Sequence, residues 1–139
     1  MTYTNSVTVP LPYAEAVART RQALADQGFG ILTEIDVKAT FTTKLGAEAG
    51  EAIGDYVILG ACNPNLASKA LAAEPELGAL LPCNVVVRSI DKKNTTVDAI
   101  DPQTMVQLSD SPQVREVAND ADERLRRALS SISEEHPST

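Results

Sequence analysis

Residues 6–9 read Ser6-Val7-Thr8-Val9, the polar–apolar alternation of a short half-buried strand. Pro10 and Pro12 stop the pairing, and Pro12 suits the first turn of a helix. From Tyr13 to Gln27 the period changes. Tyr13, Ala16, Val17, Thr20, Ala23 and Leu24 recur at helical spacing, with Glu15, Arg19, Arg21, Gln22 and Asp26 on the other faces. Gly28 follows as the residue that ends the helix in a left-handed turn. Ile31, Thr33, Ile35 and Val37 then alternate with Leu32, Glu34, Asp36 and Lys38, which predicts a second strand with one mostly charged, water-facing side. Residues 39–51 carry no clean period. Phe41, Lys44 and Leu45 predict one helical turn ending at Gly46, and Gly50 and Gly54 predict a flexible loop beyond it.

Residues 56–62 differ in kind. Tyr56, Ile58, Gly60 and Cys62 lie on one face and Val57, Leu59 and Ala61 on the other, so both faces are apolar. A strand of that sort is buried on both sides, and it is expected to be the central one. Asn63 and Pro64 are a good N-cap and first residue for a helix that runs to about Ala73, with Leu66, Ala67, Ala70 and Leu71 facing the core. Glu74-Pro75 closes it, and Leu77 to Leu81 reads as a short apolar connector. Pro82 and Cys83 lead into a β-branched strand, Asn84 to Ile90. Asp91 to Asn94 is a polar turn, and Thr95 to Ile100 is the returning strand of a hairpin. Asp101-Pro102 breaks it. Ser111-Pro112 then opens a last helix with the stripe Val114, Val117, Ala118, Ala121, Leu125, Ala128, Leu129 and Ile132. Arg124, Arg126 and Arg127 are read as lying near its end, where the negative pole of the helix favours them. Residues 133–139 predict a disordered polar tail.

The expected order is β-α-β-(short α)-β-α-β-β-α. With no repeat or linker to divide it, residues 1–132 are expected to form one α+β domain, a mostly antiparallel sheet with helices on one face. Composition fits this: of 139 residues 43 % are apolar but only 4 % aromatic, and there is no Trp, so Val, Ile, Leu and Ala must build the core. The net charge of −7 with scattered Lys and Arg predicts no nucleic-acid partner, since that affinity comes from clustered cations on phosphates. Met1 to Asn5 lacks the features of a secretory signal, and no apolar run approaches the roughly 20 residues that cross a bilayer. A cytoplasmic chain without membrane contact is expected, with its two cysteines as thiols.

Those cysteines hold the candidate chemistry. Cys62 ends the apolar strand two residues before Pro64, where peptide dipoles at a helix start favour negative charge and thiolate reactivity. The plainer reading is a small buried core residue. Cys83 carries the same ambiguity. Residues 63–82 separate the two, unlike a C-x-x-C redox motif or a zinc ribbon, yet a strand end and the next strand start can meet. The single histidine, His136, lies in the tail, so no metal site is expected. Tyr56 either donates a hydrogen bond into a pocket or fills the core. Glu34 and Asp36 share a strand face as a carboxylate pair, better explained by solvation. Lys38 and Lys44 beside the glycine-rich segment are a weak anion signal. Dinucleotide, phosphate-loop and nucleophile-elbow motifs do not occur.

The run Tyr56 to Pro64 ending Cys-Asn-Pro, followed by Leu80-Leu81-Pro82-Cys83-Asn84-Val85-Val86-Val87, resembles the signature of the domain-of-unknown-function 302 family. Lys44-Leu45-Gly46, Asp101-Pro102 and the closing helix also match, so the resemblance spans about Tyr3 to Ile132. It implies a compact single α+β domain of a kind widespread in bacteria and archaea, and no activity. Cys62, Asn63, Pro64, Pro82 and Cys83 carry over as positions and not as roles. The residues and the resemblance together lead to the expectation of a small-ligand-binding module, homodimeric or larger, with its site near Cys62 and Cys83; cofactor, reaction and ligand stay unassigned. The alternative is a thiol-dependent redox or metal-binding protein that uses the same two sulfurs, and a hydrolase or transferase with Glu34 or Asp36 as base ranks below both.

Overall fold

Five strands pair in one sheet: β1 (Thr4–Val9), β2 (Gly30–Asp36), β3 (Tyr56–Cys62), β4 (Cys83–Ser89) and β5 (Thr95–Ile100). The structure, a computed structural model, describes residues 2–134. The strand order is β1-β5-β4-β3-β2 and every neighbouring pair is antiparallel. The middle position belongs to β4, which corrects the expectation for residues 56–62. β1 adds to the free edge of β5 and β2 to that of β3, so the sheet is centred on the first strand of the hairpin, with β3 interior beside it.

One face of the sheet is aliphatic throughout. Val57, Leu59 and Ala61 of β3, Cys83, Val85 and Val87 of β4, and Val97 and Ala99 of β5 are buried there with Val9. Helix α1 (Tyr13–Asp26) lies on that face with the predicted stripe inward; Thr20, fully buried, donates its hydroxyl to the Ala16 carbonyl at 2.7 Å. Gly28 takes φ +86° and turns the chain from α1 into β2, as a left-handed glycine does.

The second face is divided. Across β1, β5 and β4 it is polar: Thr8 and Thr96 hydroxyls are 2.8 Å apart, and Asp98 accepts from Ser6 at 2.6 Å and from Arg88 at 2.7 Å. At the β2–β3 corner it is apolar, and two helices meet it there. Residues 39–51, expected to be one turn and a loop, belong to α2 (Val37–Leu45) and α3 (Ala47–Ile53). Asp36 caps α2 by accepting from the Ala39 amide at 2.9 Å. Thr40 and Thr42 return their hydroxyls to the carbonyls of Asp36 and Lys38, both at 2.8 Å, which lets β-branched residues sit in a helix. Gly50 marks close packing here rather than a loop, because a Cβ at that position would collide with Thr42.

Strand β2 departs from simple alternation. Its register against β3 jumps between Ile31 and Thr33, so Leu32 is an extra, exposed residue. Ile31 therefore packs on the main core, whereas Ile35, opposite Ile58, faces α2 and α3.

Beyond β3, α4 (Pro64–Ala73) is followed by a 3₁₀ segment, Pro75–Leu80, where a connector was expected. After the hairpin a short helix, α5 (Gln103–Leu108), stands where Asp101-Pro102 was read only as a break. The last helix, α6 (Pro112–Glu134), buries its whole predicted stripe. Its first half packs with α4, the 3₁₀ segment and α5 in a second cluster around Leu66, Ala70, Leu77 and Met105. Its second half, Leu125 to Ile132, joins the sheet core. Arg124, Arg126 and Arg127 lie in mid-helix and pair with Asp120, Asp122 and Glu123 one turn earlier, so side-chain charges and not the helix pole hold them. Ser133 and Glu134 still belong to α6; the remainder of the expected tail, with His136, lies outside the described residues.

Candidate functional site

The seam between the two clusters holds a cavity of about 40 Å³. On the scale where one water needs about 10–15 Å³, it holds a guest of only a few heavy atoms. Strand ends make one wall: Ala61 and Cys62 close β3, and Cys83, the cross-strand partner of Ala61, opens β4. Helix α4 makes the next, with Leu66, Ala67 and Ala70, and Phe29, Met105 and α6 close the rest. Almost every lining group is apolar.

The local sequence explains why the two cysteines arrive together. Asn63 is buried and its side chain accepts from the Leu66 amide at 3.2 Å, which fixes the start of α4 next to Cys62. Pro64 at the first helical position continues that start. Pro82, whose peptide bond with Leu81 is cis, packs on β3 where Gly60 leaves room: a Cβ on Gly60 would come within 2.8 Å of Pro82 Cγ and would collide with Thr33. Cys83 follows at once and enters the core.

Both cysteines are free thiols; Cys62 is half-buried and Cys83 is 8 % exposed. Burial pushes the Cys83 thiol up to about 11, and the nearby charge of a Cys62 thiolate pushes in the same direction. Cys83 is thus protonated at neutral pH.

Of the residues singled out in the sequence, Cys62, Asn63, Pro82 and Cys83 share this cavity. Pro64 does not line it; it borders an open polar groove with Lys69 and Arg124 on the outer side of α4. Tyr56 sits at the far end of β3, in the groove beneath α2 and α3 with Phe41, Ile53 and Ile58. The carboxylate pair dissolves: Glu34 pairs with Arg21, and Asp36 caps α2. Lys38 lies 3.6 Å from Asp55 and Lys44 is in the last turn of α2, so the two form no anion site. Phe29, Leu77 and Met105 were not singled out for the site. Asp101-Pro102 before Met105 follows the same cap-then-proline grammar as Asn63-Pro64 and Ser111-Pro112, and it is the signal that could have found α5: Asp101 accepts from the Gln103 amide at 2.9 Å.

Among the described residues no three His, Cys, Asp or Glu side chains come together to hold a metal ion. No described helix is long and apolar enough to cross a membrane.

Comparison with known proteins follows the same lines. No curated protein matches the chain. The crystal structure of an uncharacterized conserved protein DUF302 from Bacillus stearothermophilus superposes with a TM-score of 0.80 at 25 % identity, covering 95 % of this chain and 99 % of that one. The family profile described as Domain of unknown function DUF302 matches residues 5–132. A match over nearly the whole chain, with a solved relative of the same architecture, means that this protein belongs to the DUF302 family.

Proposed function

We propose that the protein is a binding module whose site is the cavity between the strand ends and α4, with Cys62 and Cys83 in its wall. The observation that supports this reading is that both cysteines border one nearly apolar cavity between the sheet end and α4. Protein interiors leave few voids larger than a water molecule, and dry apolar cavities take up small apolar guests.

Xenon is a suitable probe, because it fits a space of a few heavy atoms and needs no hydrogen bonds. Amide NMR spectra under xenon pressure are expected to shift at Phe29, Ala61, Cys62, Leu66 and Met105 and to saturate. Ala67→Leu, which fills the cavity from its half-buried rim, is expected to remove the effect. Uniform weak shifts, unchanged by Ala67→Leu, would rule the site out.

A second reading is thiol chemistry by Cys62 with Cys83. It is favoured by the influence of Cys62 on the Cys83 thiol and by the different exposure of the two. A disulfide-exchange reporter is expected to label Cys62 first and Cys83 only slowly; no labelling of the folded chain would end this reading. We also propose that a second copy covers the apolar β2–β3 corner, where Ile35 and Ile53 are 48 % and 37 % exposed.

A further inference from the structure

We propose that the open groove on the outer side of α4 binds a phosphate group, held by Asn63, Lys69, Arg124 and the first turn of the helix. Asn63 and Leu66 border both this groove and the cavity, but the proposal does not rest on the cavity being occupied.

Its main support is an unused donor on a buried side chain. Asn63 is 8 % exposed, and its Oδ1 accepts from the Leu66 amide. Its Nδ2 makes no hydrogen bond among the described residues, whereas buried amide groups are ordinarily satisfied. That nitrogen faces the space beside Gly28 in the groove wall: a Cβ at Gly28 would stand 3.0 Å from Asn63 Nδ2 and 3.3 Å from Arg124 Nη1. The positive φ that calls for glycine here thus also leaves open a point within reach of an amide donor and a guanidinium.

Arg124 is held in place from two sides. Its Nε donates to Asp120 at 2.7 Å and its Nη1 to the Gln27 carbonyl at 2.9 Å, which leaves Nη2 for a ligand. Asp120 is the single carboxylate of the groove wall, and this contact engages it. On α4, Asn65, Ser68 and Lys69 follow the i, i+3, i+4 spacing of one helix face and line the same groove. Their side chains have no hydrogen-bond or ion-pair partner among the described residues. In the first turn the Leu66 and Ala67 amides donate to Asn63 and Pro64 has no N–H, so the Asn65 amide is left over. The positive pole of a ten-residue helix acts at the same spot.

The kind of group follows from the donors. Two cationic side chains repel a metal ion. A carboxylate has two oxygens and answers fewer of the waiting N–H and O–H groups than a phosphate, whose tetrahedral oxygens accept from several directions at once.

The test is an NMR titration of the isotopically labelled full chain with inorganic phosphate at constant ionic strength. The Gly28, Asn65, Ser68 and Lys69 amides and the Asn63 side-chain signals are expected to shift along one saturable curve. Asn63→Asp keeps the helix cap but replaces the donor by a carboxylate oxygen; it is expected to weaken binding at least about tenfold, with amide exchange in the first turn of α4 as in wild type. Lys69→Gln, at an exposed position, is expected to weaken it about two- to fivefold. Phenyl phosphate separates the two sources of the group: tighter binding than inorganic phosphate supports an esterified ligand, and weaker binding supports the free ion. Absence of a saturable shift in the wild-type chain overturns the inference. So does a capped Asn63→Asp variant that binds as tightly as wild type, or acetate that binds as tightly as phosphate. Xenon uptake reads the cavity alone, so either site can fail without the other.

Discussion

Cys83 is at once a core residue and a wall of the cavity, and its protonation links the two roles. Its folded thiol titrates at about 11 against an ordinary 9.0. Between those values the unfolded chain has lost the proton and the folded chain has kept it, so the stabilisation is complete below pH 9 and declines as pH rises towards 11. Urea unfolding is expected to show a loss on the order of 1–3 kcal/mol across that window. The Tyr13 phenol, pushed up to about 12 by burial and then by Asp36, Asp55 and Glu34, adds a smaller decline at higher pH because solvent screens it. The difference between wild type and Cys83→Ala isolates the thiol, and equal slopes in both would refute its assignment. Gly60 makes a second residue-scale prediction. Gly60→Ala forces a methyl against Thr33 and Pro82 and is expected to destabilise by about 1–3 kcal/mol, partly restored by Thr33→Ala; denaturant midpoints of both variants check this. The cysteines were legible in sequence because a strand end and a cap-proline pair flank Cys62. Phe29 and Met105 were not, since a single apolar residue in no motif says nothing about which void it borders.

At the scale of elements, caps wrote most of the fold. Asn63-Pro64 and Ser111-Pro112 were read correctly, and in the structure the Ser111 hydroxyl accepts from the Val114 amide at 3.3 Å. Asn63→Ala is expected to cost about 1 kcal/mol in urea unfolding and to raise amide exchange in the first turn of α4, whereas Asn63→Asp keeps the cap; equal exchange in both variants would contradict the capping role. Two helices and one strand irregularity show why parts of the pattern could not be read. α5 is six residues long, too short to show a helical period. α2 is rich in threonine and weakly amphipathic, and the Asp36 cap and the close packing of Thr42 on Gly50 of α3 that support it leave no helical period in the sequence. In β2 the bulge at Leu32 moves Ile35 to the opposite face from Ile31, a shift that alternation alone cannot reveal.

The whole molecule consists of two clusters pinned by one helix. α6 contributes Val114 to Ala121 to the smaller and Leu125 to Ile132 to the larger, and the cavity opens where they meet. Leu125 is 1 % exposed, so Leu125→Ala is expected to cost about 2–5 kcal/mol as one cooperative unfolding step; separate transitions for the two clusters would show that α6 does not couple them. The α+β class, the hairpin and the α6 stripe were legible because long periodic segments and proline caps point one way. The divided second face was not, because its apolar half depends on α2, α3 and the bulge together. The exposed apolar corner there predicts a dimer by light scattering, with Ile35→Lys shifting it to monomer. The central claim is that the cavity bordered by the end of β3, the start of β4 and α4 receives a guest, and a crystal structure under xenon pressure tests it most directly. The account predicts an anomalous peak in that space with the surrounding helices unmoved; a cavity empty at saturating pressure, or collapsed around the two sulfurs, would contradict it.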